Sequence, residues 1–183
     1  MLVELFCDKF SYGSCKEKPI RFYSGLNIVR GGDAGDNSIG KSSFLQIVDF
    51  AFGGESYEKT DLIRSYGHHT IYFAFEFEGR IFRFGRSTET PRRIMKFTDV
   101  YESSEEIAIQ EYRNFLLMMY LPDSRANDFR LLTNCFFKFF ANQNSPFPDP
   151  LRFVSTEKEE LGIERFLKLY NAFTPLEKKK IKN

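Results

Sequence analysis

Between Thr70 and Phe84 the chain alternates. Ile71, Phe73, Phe75 and Phe77 fall on one side, and Tyr72, Ala74, Glu76 and Glu78 on the other. A period of two marks a strand with one buried face. Glu78-Gly79 supplies a turn from which Ile81–Phe84 returns, so the segment predicts a hairpin. Leu2–Phe6, Ile20–Tyr23 and Leu26–Arg30 predict three short strands ahead of it, with a polar turn at Ser11-Tyr12-Gly13-Ser14, and Ile94–Val100 a further strand behind it. After Gly40 the period changes. Phe44, Ile47, Val48, Ala51 and Phe52 recur at helical spacing until Gly53-Gly54 stops the run. The second half reads as helix. Ser103 with Glu106 three residues on forms a capping box for a helix to about Tyr120, broken at Pro122-Asp123. Phe129–Phe140 predicts a second helix, and Asn144–Pro150 a proline-rich loop. Thr156 with Glu159 caps a third helix to about Phe173, and Thr174-Pro175-Leu176-Glu177 opens a charged fourth.

This order of elements is an α/β (α+β) mixture, and 183 residues suffice for one domain with a real core but hardly for two. Apolar residues at 42% and charged residues at 28% place the chain among globular proteins. Its 22 phenylalanines, with no tryptophan, imply an aromatic core and apolar surface meant for a partner. A net charge of +1 gives no global field toward nucleic acid or membrane. Locally, Arg80, Arg83, Arg86, Arg92, Arg93 and Lys96 stand against Glu89 alone. That cluster reads either as a solvated hairpin face or as a contact for a phosphate backbone. Cys7, Cys15 and Cys135 form no CxxC pair and His68 and His69 are the only histidines, which argues against zinc and fits a reducing compartment. With no signal peptide pattern and no apolar run near the roughly 20 residues of a membrane helix, the expectation is a cytoplasmic protein.

The segment Gly35-Asp36-Asn37-Ser38-Ile39-Gly40-Lys41-Ser42 matches Gly-x-x-x-x-Gly-Lys-Ser in full, between a predicted strand and a predicted helix. Each residue type answers a physical need. Glycine at the loop ends permits backbone angles that a side chain forbids. The loop can then turn consecutive N–H groups inward as an anion nest, and the following helix adds its N-terminal dipole and free amides. Lys41 would bring a point charge to β- and γ-phosphates, and the Ser42 hydroxyl would ligate Mg²⁺. The pattern therefore predicts a phosphate site for a nucleoside triphosphate, most simply ATP with Mg²⁺, formed by Gly35, Asp36, Asn37, Ser38, Ile39, Gly40, Lys41, Ser42 and Ser43. No guanine-reading Asn-Lys-x-Asp motif is present.

Leu26-Asn27-Ile28-Val29 followed by Asp36 to Leu45 resembles the N-terminal lobe of SMC-like ATPases, which include double-strand-break repair ATPases and the RecF and RecN proteins. Cys7-Asp8-Lys9-Phe10 and Ile20-Arg21-Phe22 are similar to that family's opening strands. Asn37 to Ser42 with Asp49-Phe50-Ala51-Phe52-Gly53-Gly54 resembles a bacterial subgroup found in ABC-three-component, defence-type gene sets. The resemblance covers roughly residues 1 to 175, and only the loop motif is highly specific. It implies an ABC-type half-head: residues 1–173 as an N-terminal ATPase lobe with an antiparallel β subdomain and C-terminal helices, and 174–183 as the start of a coiled coil. It further implies a C-terminal lobe, on this chain or another, carrying the Walker B and signature motifs. It implies an ATP-dependent head dimer, and action on DNA or a partner protein in repair or antiviral defence. Lys41 would be the catalytic lysine, and Gln143 is the candidate for the glutamine that helps ligate Mg²⁺, although an ordinary loop amide explains it more simply. Lys9, Arg21 and Arg30 lie where the family uses basic residues around the nucleotide.

The sequence departs from that pattern in two places. Gly31 to Ala34 look like an insertion between strand and loop. No Walker B strand is found: Phe115-Leu116-Leu117-Met118-Met119-Tyr120-Leu121-Pro122-Asp123 follows a capping box and is interrupted by proline. Gly53-Gly54-Glu55-Ser56 is the nearest approach to a signature motif and reads better as a helix stop. Three functions follow as expectations: a half-head active as an ATPase only when completed, a self-contained small P-loop kinase, or a nucleotide-dependent interaction module that never hydrolyses.

Overall fold

The computed structural model describes residues 1–7, 9, 19–29, 40–98, 100–122, 128–133 and 158–169, in two compact units, Met1–Tyr112 and Arg113–Asn183. The first unit is built on a six-stranded sheet. Its strands are β1 (Leu2–Phe6), β2 (Ile20–Arg21), β3 (Thr70–Phe77), β4 (Arg80–Ser87), β5 (Arg93–Phe97) and β6 (Ser104–Ala108), in the order β2-β1-β3-β4-β5-β6. Every described pair is antiparallel. The hairpin forms as its alternation predicts, with Phe73 opposite Phe84 and Phe75 opposite Phe82. Glu78 and Gly79 both carry positive φ at its tip, the conformation that matches a two-residue turn to the strand twist.

One face of the sheet is the core. Ile71, Phe73, Phe75, Phe84 and Ile94 are fully buried there. Helix α1 (Lys41–Ala51) covers it, with Phe52 edge-on to Phe75 at 5.1 Å. Tyr112, in the first turns of α3 (Ile109–Tyr120), packs on Phe84 at 5.0 Å and Phe73 at 6.1 Å. Between α1 and β3 lie a 3-10 turn at Tyr57–Lys59 and a short helix α2 (Asp61–Tyr66), neither signalled by a hydrophobic period. The opposite face carries a second ring cluster, in which Phe6 stacks on Tyr72 at 5.0 Å and Tyr101 stands edge-on to Phe6 at 5.1 Å. The Tyr101 hydroxyl donates to Glu4 at 3.1 Å, and Arg83 lies 5.9 Å from the ring centre.

Tyr57, in the 3-10 turn, and Tyr101 ionise late. Burial pushes both phenols up, with Cys7 adding to the effect at Tyr57 and Glu4 at Tyr101. A raised acid in the folded state means that the unfolded chain loses the proton first. Stability is therefore complete below the ordinary tyrosine range, near pH 10, and falls as pH rises through it. Absorbance titration of tyrosinate should show Tyr57 and Tyr101 ionising only as the protein unfolds, and Tyr57→Phe with Tyr101→Phe should shrink that late component by two phenols. A titration in which all nine tyrosines ionise together in the folded protein would contradict it.

The second unit comprises the rest of α3 with α4 (Phe129–Thr133) and α5 (Glu159–Leu169). Tyr120 stacks on Phe129 at 6.0 Å, the Asp128 side chain caps α4 by accepting the Arg130 amide at 2.8 Å, and Lys168 pairs with Glu164 one turn back on α5. The remainder of the expected helix to Phe140, the loop Asn144–Pro150, Thr156 and the expected coiled-coil start at Thr174 lie outside the described residues.

Two expectations are corrected. Ser103 and Glu106 do not cap a helix. Ser104–Ala108 is an edge strand paired with β5, Ile107 opposite Ile94, and the helix begins at Ile109. A two-residue capping signal loses here to a five-residue ladder and the Lys96–Glu105 ion pair at 2.7 Å. Nor is the described part of Leu26–Arg30 a strand. Leu26 is 87% exposed and Ile28 71%. This apolar stretch joins no ladder among the described residues. No described helix is long and apolar enough to cross a membrane.

A candidate phosphate site at the start of helix α1

Gly40 precedes α1 with φ 77° and ψ 16°, a left-handed conformation that disfavours any residue with a Cβ. A Cβ there would meet nothing within 4 Å, so the backbone angle, not crowding, calls for glycine. Its carbonyl accepts the Phe44 amide at 2.7 Å, the first bond of the helix. Among the described residues no side chain caps this end, and no acidic residue lies in the first turn. The amides of Lys41, Ser42 and Ser43 thus come before the first intrahelical donor, where the positive end of the helix dipole lies. Ser42 is exposed, and Lys41 and Ser43 are half-buried. Phe22 stacks on Phe44 at 6.2 Å and ties the opening strands to this turn. Gly35, Asp36, Asn37, Ser38 and Ile39 lie outside the described residues, as do Gln143 and Arg30.

The other end of α1 is held tightly. Arg86, on β4 and 1% exposed, donates from Nη1 to the Phe50 carbonyl at 2.9 Å and the Gly54 carbonyl at 2.7 Å. Its Nε donates to the Pro91 carbonyl at 2.7 Å, its Nη2 to Glu58 at 3.0 Å, and its guanidinium lies 3.9 Å over the Phe50 ring. Tyr112 donates to the Ala51 carbonyl at 2.5 Å. The buried Asp49 carboxylate accepts the Ser56 hydroxyl at 2.5 Å, and its main-chain carbonyl accepts the Gly54 amide at 2.8 Å. Gly53, at φ 79°, makes the stop. The Asp49-to-Gly54 stretch is therefore a helix terminus satisfied by buried partners, which agrees with its reading as a stop.

The remaining basic candidates are engaged elsewhere. Lys9 donates to the Tyr66 and His68 carbonyls, both at 2.9 Å, at the end of α2. Arg21 pairs with Glu4 at 3.5 Å. The arginine cluster of the hairpin is not one surface: Arg86 points into the core, and Arg93 and Lys96 pair with Glu106 and Glu105 on β6. Phe115–Tyr120 belong to α3, so the apolar run considered for Walker B is helix, not strand. Sequence reading missed the roles of Arg86, Asp49 and Tyr112. Parity would have found the first, since Phe82, Phe84 and Arg86 alternate onto one face.

Among the described residues no three His, Cys, Asp or Glu side chains gather as a metal site. No protein-family model, curated protein or solved structure matches the chain.

Proposed function

We propose that the start of α1 binds the phosphates of a nucleoside triphosphate, as ATP with Mg²⁺, and that the chain is the N-terminal lobe of an SMC-like, ABC-type ATPase. The observation that carries this reading is the left-handed Gly40 before a helix end that begins Lys41-Ser42 and that no described side chain caps, within a complete Gly-x-x-x-x-Gly-Lys-Ser segment. Those residues suit a phosphate. The free amides and helix dipole favour an anion, and no carboxylate in the first turn opposes it. Lys41 would neutralise β- and γ-phosphate oxygens. The exposed Ser42 hydroxyl would give Mg²⁺ one protein ligand, which suits an ion that keeps waters and phosphate oxygens as its other ligands. Hydrolysis would be attack of water on the γ-phosphate, helped mainly by positioning and charge neutralisation. The base and the signature group would come from a C-terminal lobe.

Two observations favour an incomplete lobe over a self-contained kinase. Every described strand pair is antiparallel, where a small kinase alternates strand and helix about a parallel sheet. The apolar residues Leu26, Ile28 and Val29 just before the loop are exposed and joined to no ladder among the described residues, as expected of a segment whose partners lie on another lobe. DNA or a partner protein would be the object of the head dimer's closure, in repair or defence.

Calorimetry with MgATP tests the reading. The chain should bind, Lys41→Ala should weaken binding about 10- to 100-fold, the worth of a charge-assisted contact, and neither protein should turn over ATP alone. Equal binding by both proteins sinks the phosphate assignment. Turnover by the chain alone, lost in Lys41→Ala, sinks the half-head assignment but keeps the site.

A further inference from the structure

We propose that Arg86 is a positioning residue for the phosphate site, acting through the body of α1; this rests on the reading of the Gly40–Ser42 turn given above. The two ends of the helix are unlike. At the first turn no side chain among the described residues caps the backbone. At the last, one guanidinium gathers the Phe50 and Gly54 carbonyls, the Pro91 carbonyl and Glu58, and covers the Phe50 ring. These belong to α1, its glycine stop, the 3-10 turn and the turn between β4 and β5, so a single side chain fixes the helix end against three other segments. An 11-residue helix is about 16 Å long, and a tilt of roughly 5° about its held end would move the opposite end by about 1.4 Å. Hydrogen bonds from amides to an anion tolerate a few tenths of an ångström. The held end therefore sets whether the amides of Lys41, Ser42 and Ser43 converge on one phosphate. Arginine is the residue that can do this, because its planar fork offers five fixed donors; lysine keeps the charge near the negative end of the dipole but is a point donor.

Arg86→Lys separates positioning from stability. Measured well below its melting temperature, where the chain is folded, the variant should bind both MgATP and inorganic triphosphate about tenfold or more weakly. Phe77→Leu, which trims a ring at the hairpin tip away from the Arg86 guanidinium, serves as a destabilised control and should leave both affinities within about twofold of the parent. Should Arg86→Lys fail to fold, Glu58→Gln loosens one contact of the same guanidinium and should weaken both ligands about two- to fivefold. Parental affinity in a folded Arg86→Lys, or in Glu58→Gln where that variant must decide, overturns the inference and leaves the phosphate site standing. A parent chain that binds neither ligand in a Lys41-dependent way overturns both together.

Discussion

Arg86→Met is expected to cost about 3–5 kcal/mol of folding stability, the usual toll for breaking a buried charged network from one side. Methionine fills much of the volume of the arginine stem, so packing is largely kept and the loss reports the guanidinium. The partners that remain are mostly backbone. Phe50 O still accepts the Gly53 amide at 3.0 Å, but the Gly54 and Pro91 carbonyls lose the donor that reaches them, at about 1–3 kcal/mol for each buried polar group left unsatisfied. The cation over Phe50, 3.9 Å from the ring centre and shielded from water, adds up to about 2 kcal/mol. Replacing a buried ion pair by apolar residues can be neutral when both partners go. Carbonyls cannot be mutated away, so that escape is closed here. Urea unfolding of the two proteins measures the difference, and a loss below about 1 kcal/mol would mean that the network holds little together.

Gly54→Ala should be nearly as damaging, at about 2–4 kcal/mol. The backbone angle at Gly54 is not the reason. A Cβ there would fall on the Asp49 carboxylate. Asp49 has little room to yield, being 1% exposed, held by the Ser56 hydroxyl at 2.5 Å and joined through its own carbonyl to the Gly54 amide. Moving it would break the Ser56 bond; moving Gly54 would pull its carbonyl from Arg86. The mechanism makes a sharper demand than the magnitude. Truncating the obstacle should relieve the clash, so Gly54→Ala in an Asp49→Ala background should cost clearly less than in the parent, with a coupling of about 1–3 kcal/mol. Additive losses would assign the damage to something other than this contact.

The sheet was legible where residues state their own periodicity. Ile71, Phe73, Phe75 and Phe77 announce β3, and Phe44, Ile47, Val48, Ala51 and Phe52 announce α1, because each pattern reports burial on one face. What escaped depends on partners distant in sequence. Ser103-x-x-Glu106 satisfies a local rule for a helix start, yet Ile107 finds Ile94 and Glu105 finds Lys96 across a ladder that no local rule contains. Leu26, Ile28 and Val29 have the composition of a strand, but a strand needs a neighbour, and among the described residues they pair with none. α2 and the 3-10 turn before it bury only Tyr57 and so leave little trace in the hydrophobic pattern. At the site, Gly40, Lys41 and Ser42 were readable because the chemistry fixes residue types at set spacings. Arg86 was hidden by a count of charges, which cannot say which cation faces inward.

The Phe22–Phe44 ring stack has an optical consequence. The chain contains no tryptophan, so a single indole placed at Phe22 would emit against a background of tyrosine alone. That ring lies 6.2 Å from Phe44, three residues past Lys41, half-buried at the boundary between solvent and the first turn of α1. Its emission wavelength and its quenching by iodide or acrylamide would follow the packing of that turn without any label attached to the loop itself.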